Sequence, residues 1–98
     1  MNYHEVGEFK IKPPARAVMV GREDNVALLL SDVKTGEKIT LGNGWVEIAA
    51  EDIPAGYKIA IRALLTGESI INYGEVIGTA LRSIKPGERV HFHNLQAA

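Results

Sequence analysis

Four glycine-centred segments restrict this chain to short strands joined by tight turns. The segments are "VKTGEKI", "IPAGYKI", "LLTGESI" and "IKPGERV". Their glycines, spaced by 20, 11 and 20 residues, are Gly36, Gly56, Gly67 and Gly87. Glycine accepts the positive φ that many turns need, and the β-branched residue that follows each turn favours the start of a strand. The spacing indicates two related halves.

The apolar runs between these turns are too short for a helical protein. Only "NVALLLSDV" and the start of "KIAIRALL" are long enough to consider as helix, and flanking glycines shorten both. We therefore predict a mostly β domain, with a strand and a short helical turn over "REDNVALLLSDV". Asn43-Gly44 predicts a hairpin turn, and we expect Trp45 to be a core residue or a partly buried anchor.

Length and composition exclude several classes of protein. The 98 residues suffice for one domain, which we place at residues 15–98 after an extended arm at residues 1–14. Eleven basic residues among twelve acidic ones mark no phosphate-binding stripe, so we expect no nucleic-acid partner. The absence of cysteine excludes disulfides and thiolate metal sites. The N-terminal residues contain no long apolar run, so we expect no membrane anchor and a cytoplasmic location.

Two imidazoles stand one residue apart in the closing "VHFHN". If this stretch is a strand, His91 and His93 share one face, while Val90 and Phe92 lie on the other. An unperturbed imidazole has a pKa of about 6.5, so it can exchange protons at neutral pH. From the residues alone, the pair is either a solvated surface feature or part of a site.

Several motifs occur together in an order that is similar to a known family. The segments are "DNVALLL", "IPAGYK", "YGEVIG" and "IKPGERVHFHN". Over roughly residues 15 to 95 the chain resembles the small N-terminal domain of the altronate and galactarate dehydratases, a member of the SAF group. The resemblance implies a compact β-clip fold, like that of type III antifreeze proteins, with short helical turns.

The resemblance also implies a lyase that works with a partner. The chain would be the small subunit of a sugar-acid hydro-lyase, completing or covering the active site of a large catalytic subunit and inactive alone. One alternative is the small subunit of a sulfolactate sulfo-lyase, since that enzyme belongs to the same family. Another is a non-catalytic SAF module that binds a carbohydrate acid or a protein. A divalent metal such as iron, held mainly by the partner, is implied as well, and the apolar strands leave self-association open.

Candidate site residues follow from the same resemblance. His91 and His93 are predicted to be catalytic, or to act as a metal ligand together with residues of a partner chain, because a catalytic metal typically needs three protein ligands. The predicted substrate-binding residues are Asn94, Lys58, Tyr57 and Tyr73. Tyr57 stands where relatives often have histidine. For Asp24 and Asn25, a functional role and turn capping are equally open.

Overall fold

The computed structural model describes residues 13–42 and 44–98, whose regular structure consists of nine short strands. In chain order they are β1 (Ala15–Val18), β2 (Val26–Leu29), β3 (Lys38–Thr40), β4 (Val46–Ile48), β5 (Lys58–Ala60), β6 (Ser69–Asn72), β7 (Glu75–Ala80), β8 (Arg89–Val90) and β9 (Leu95–Ala97). The mostly β class is therefore confirmed. Most of the predicted arm lies outside the described residues.

The described part of the chain contains no helix, which corrects the expectation of short helical turns. In "REDNVALLLSDV" the residues of β2 extend instead, because they pair with β1 on one side and β5 on the other. A strand between two neighbours has its backbone hydrogen bonds satisfied without a helix. It follows that no helix in this part could cross a membrane.

The nine strands form two sheets. Six strands form one sheet in the order β4-β3-β1-β2-β5-β8, and three form the other in the order β6-β7-β9. The pair β1 and β3 is parallel, and the remaining strand pairs are antiparallel. One buried cluster surrounds Ile39 and Ile59, and a second joins the two sheets around Val26, Ile70 and Ile84. Removing these apolar surfaces from water is the main source of stability for such a fold.

All four predicted glycine turns are confirmed, and they are built alike. Each glycine has a φ between 84° and 96°. Its N–H donates to the carbonyl oxygen of a distant residue, and the N–H of that residue donates back to the carbonyl of the residue after the glycine, at 2.7–2.9 Å. The distant residues are, in chain order, Ala49, Leu29, Ala80 and Ala60.

The turns also occur as two pairs, as their spacing in the sequence indicated. Val33 and Ile53, which open the first two turns, exchange two backbone hydrogen bonds of 2.9 Å. Leu64 and Ile84 do the same for the last two turns. The repeated hydrogen-bond pattern extends the sequence similarity to the backbone.

Trp45 lies outside both buried clusters, so of its two expected positions the core is wrong and the partly buried one is left. Its side chain keeps 45% of its surface exposed and lines an open pocket of about 360 Å³ together with Met19 and Leu41. Trp45 follows a turn in which its N–H donates to the carbonyl of Gly42. Gly44 has the positive φ expected there, and Asn43 lies outside the described residues.

Candidate functional site

Residues 91–94 form a turn, here called the histidine turn, between β8 and β9. The carbonyl of His91 accepts hydrogen bonds from the N–H groups of Asn94 and Leu95, at 3.0 and 2.9 Å. The prediction that His91 and His93 share one strand face is therefore wrong. The alternation "VHFH" is typical of a strand, but the chain reverses direction within it.

Asn94 holds the histidine turn in place. Its side chain is 2% exposed, its Oδ1 accepts the N–H of His91 at 2.9 Å, and its Nδ2 donates to the carbonyl of Arg89 at 2.8 Å. Both ends of the amide are used by the backbone, as is usual for a buried polar group. Its predicted role in binding substrate stays a prediction, and its observed contacts are structural.

The two histidines and the residue between them are exposed at the surface of the turn. Phe92 has 73% of its surface exposed, and its ring lies 4.5 Å from the His91 ring at an angle of 33°. The turn thus presents two imidazoles and a phenyl ring on a backbone that Asn94 fixes.

Tyr57 lies directly across from the histidine turn. The pairing of β5 with β8 places Lys58 opposite Val90 and Ile59 opposite Arg89, so Tyr57 comes opposite His91. The rings of Tyr57 and His91 meet edge to face with their centroids 5.2 Å apart. This predicted substrate-binding residue is therefore in contact with a predicted catalytic one.

The turn that carries Tyr57 differs from the other three in its cap. In those turns the residue after the glycine is glutamate, and its carboxylate accepts the N–H three residues earlier at 2.7–2.9 Å. At the corresponding place here stands Pro54, which has no N–H to offer. Asp32 accepts the N–H of Ala55 at 2.8 Å, just as Asp52 accepts that of Thr35 in the first turn. Position 57 is thereby released from the capping role, and a tyrosine fits there.

Arg89 is a residue that the sequence did not single out. Its guanidinium carbon lies 5.0 Å from the centroid of the Tyr57 ring, a distance typical of a cation–π contact. Its Nε is buried without a hydrogen-bond partner. Since β5 and β8 are far apart in the sequence, only their pairing in the sheet shows that these two residues meet.

The surroundings of His93 favour its neutral form. Partial desolvation and then the positive charges of Arg89 and Arg82 lower the pKa of His93, against the opposing effect of Glu51. A neutral imidazole at neutral pH can accept a proton or bind a metal ion.

The other two predicted substrate-binding residues lie elsewhere. Lys58 is next to Tyr57, and strand alternation places its side chain on the opposite face of the sheet. Tyr73 lies exposed in the β6–β7 turn with a φ of 55°. This turn contacts Asp24, just before β2, whereas Tyr57 contacts Leu29 at the other end of β2. Their roles stay predictions, and the structure does not bring them to the histidine turn.

Asp24 and Asn25 are structural. The Asp24 carboxylate accepts the N–H groups of Val20, Gly21, Tyr73 and Gly74 at 2.9–3.2 Å. Asn25 is fully buried and uses its amide to bond the carbonyl of Ser69 and the N–H of Ile71. Between the two interpretations, turn capping is the one that the contacts support.

The metal implied by the resemblance does not fit the described residues alone. In residues 13–42 and 44–98 there is no group of three or more His, Asp or Glu side chains that could hold an ion. The exposed His91 and His93 could supply two ligands at most, fewer than a catalytic metal typically takes from protein.

Residues 15–98 match the altronate/galactarate dehydratase SAF domain. The chain belongs to this family. Altronate dehydratase of Bacillus subtilis (strain 168) is 36% identical to it over 77 residues, which are 79% of this chain and 15% of the relative. Galactarate dehydratase (L-threo-forming) of Escherichia coli (strain K12) is 38% identical over 77 residues, or 76% of this chain and 14% of the relative.

A relative of comparable length also matches this SAF chain. The (2R)-sulfolactate sulfo-lyase subunit alpha of Chromohalobacter salexigens is 36% identical over 77 residues, which cover 70% of this chain and 79% of the relative. By contrast, the chain spans only about 15% of the dehydratases it matches. The SAF unit therefore occurs among the relatives both as a small part of a long dehydratase and as most of a lyase subunit.

Proposed function

We propose that this chain is the SAF subunit or domain of a lyase that acts on a sugar acid. Its histidine turn would contribute proton-transfer groups to an active site that a larger chain completes. The observation that carries the proposal is the pair of exposed imidazoles on a turn fixed by the buried Asn94. The dehydratases named among the relatives supply the reaction class.

Dehydration of a hydroxy acid needs a base and an acid. The base removes the proton from the carbon next to the carboxylate, and the hydroxyl leaves the following carbon as water once the acid has protonated it. The resulting enol then becomes a keto acid. His93 is the proposed base, because the lowered pKa keeps its imidazole neutral. His91 is the proposed acid for the departing hydroxyl.

Sulfolactate cleavage is the second candidate, favoured by the length of the sulfo-lyase subunit alpha that matches this chain. The proton would again leave the carbon next to the carboxylate, but the broken bond would be carbon–sulfur and the product sulfite. Sulfite departs as an anion and needs no proton from an acid. Under this candidate the reaction needs a base at the histidine turn, and it needs no proton from His91.

The test is reconstitution with the native partner. The tagged chain is purified from its host, and the complex, the chain alone and the large chain alone are assayed for keto acid formation from altronate, galactarate and (2R)-sulfolactate. We expect turnover of one of these acids by the complex and none by either chain alone. Full turnover by the large chain alone, or no turnover by the complex with any of the three acids, would contradict the proposal.

A further inference from the structure

The Arg89 side chain presents an unpaired cation beside the histidine turn. Among the described residues its guanidinium makes no hydrogen bond or ion pair, and its side-chain contact is the face of the Tyr57 ring at 5.0 Å. The Nε is buried without a hydrogen-bond partner, whereas neither terminal nitrogen is both buried and unpaired. With no partner among the described residues, the terminal nitrogens can donate to a ligand.

The surroundings of Arg89 favour an anion. Arg82 and Arg89 both act on His93 as positive charges, and His91 lies in contact with the same Tyr57 ring. The nearby carboxylate is that of Glu51, and one of its oxygens accepts the backbone N–H of Arg89 at 2.9 Å. Arg82 and Arg89 outnumber this one acid, which a backbone hydrogen bond already engages.

Tyr57 holds the guanidinium in this position. Its ring packs against the first buried cluster and also contacts Arg89 and His91. Since Pro54 removes the N–H that a glutamate would cap, the residue at position 57 is free to serve as this platform. A ring fixed in this way limits the orientations of a guanidinium stacked on it.

We propose that Arg89, positioned by Tyr57, binds the carboxylate group of the substrate. The two terminal nitrogens would donate side by side to the two carboxylate oxygens, which is the geometry of strong arginine–carboxylate pairs. The carbon next to that carboxylate would then lie toward the histidine turn, where its proton is removed. This inference rests on the proposed function for the identity of the acid. Lys58, which was predicted to bind substrate, has no part in this pair.

Titration of the full chain with galactarate tests the site directly. The NMR signal of the Arg89 Nε–H group is followed against galactarate and against galactitol, the neutral polyol with the same carbon chain. We expect a saturable shift with galactarate and none with galactitol. A missing shift with galactarate, or an equal shift with both, would overturn the proposal.

Substitutions separate binding from folding. Arg89→Lys keeps the positive charge but loses the paired terminal nitrogens of the guanidinium. We expect it to weaken galactarate binding about tenfold. Tyr57→Ala removes the ring that positions the guanidinium and should also bind galactarate less well than the parent. Arg62→Lys is the matched control, because Arg62 pairs with Glu68 at 2.8 Å and does not belong to the site. Unchanged binding by the Arg89→Lys chain would overturn the proposal.

Two results distinguish a failure of this carboxylate site at Arg89, here called the anion site, from a failure of the proposed function. If the chain binds galactarate through Arg89 but its complex turns over no acid, the anion site stands and the lyase proposal fails. If the complex is active and Arg89→Lys leaves the KM for its acid unchanged, the lyase proposal stands and the anion site fails.

Discussion

At the scale of single residues, three of the four buried polar side chains among the described residues serve the backbone, and the fourth, Asn72, leaves its Oδ1 unpaired. Asp24, Asn25 and Asn94 are each at most 6% exposed, and each forms hydrogen bonds with main-chain groups of at least two other residues. An unpaired backbone N–H in such a place would cost about 1–3 kcal/mol. Sequence patterns could show that these residues are suited to turns, but the loops they join lie up to 50 positions apart.

Asp24→Asn should destabilise the fold in a way that depends on pH. Burial raises the pKa of Asp24, but the hydrogen bonds from Gly74, Gly21, Tyr73 and Val20 together lower it below its ordinary value. A lowered pKa in the folded state stabilises the fold above the unfolded pKa of about 3.9, and this contribution is lost as pH falls through the folded pKa. An amide nitrogen cannot accept these N–H groups, so we expect a loss of about 2 kcal/mol near neutral pH.

Urea unfolding near neutral pH and below about pH 3 measures this effect, since the parent's advantage should shrink as its own carboxyl becomes protonated. Asp52→Asn is the matched control. Its carboxylate also accepts an N–H, from Thr35 at 2.8 Å, but it is exposed to water, so the loss should be smaller. A gap between parent and Asp24→Asn that stays constant across this range would contradict the assignment.

At the scale of elements, the glycine turns could be predicted and the histidine turn could not. Glycine at a positive φ is a local requirement, so the four turns can be read from "KTGEK" and its three counterparts. The alternation of "VHFH" is a local pattern too, but the side chain of Asn94 reverses the chain there by bonding His91 and Arg89. The register that brings Tyr57 to His91 depends on the pairing of β5 with β8, which local patterns do not contain.

Two of the glycine turns should respond differently to alanine. Gly36 and Gly87 have nearly the same φ, 88° and 85°, so each substitution carries a backbone strain of about 1–2 kcal/mol. A Cβ on Gly36 would meet open space, whereas one on Gly87 would overlap the carbonyl oxygen of Ile48. We expect Gly87→Ala to lower the free energy of unfolding clearly more than Gly36→Ala in urea denaturation. Equal losses would show that the turn of Gly87 is free to move away from β4.

At the scale of the whole molecule, the fold brings its chemical groups to one place by joining its halves. Tyr57 comes from the first pair of glycine turns, and Arg89 and His91 follow the second pair. Strands β5 and β8 hold these residues side by side. The domain therefore offers imidazoles and a guanidinium on one surface.

The most direct test of this account is the turnover number of the native complex carrying both His91→Ala and His93→Ala, with Lys85→Ala as the control. Lys85 is exposed on the preceding turn, and its side chain has no part in the proposed chemistry. The account predicts that the double variant assembles with the large chain in the parent's stoichiometry and loses turnover at least about a hundredfold, as removal of acid–base catalysis does. The control should keep the parent's rate. A double variant that assembles and turns over its acid at the parent's rate would contradict the central claim.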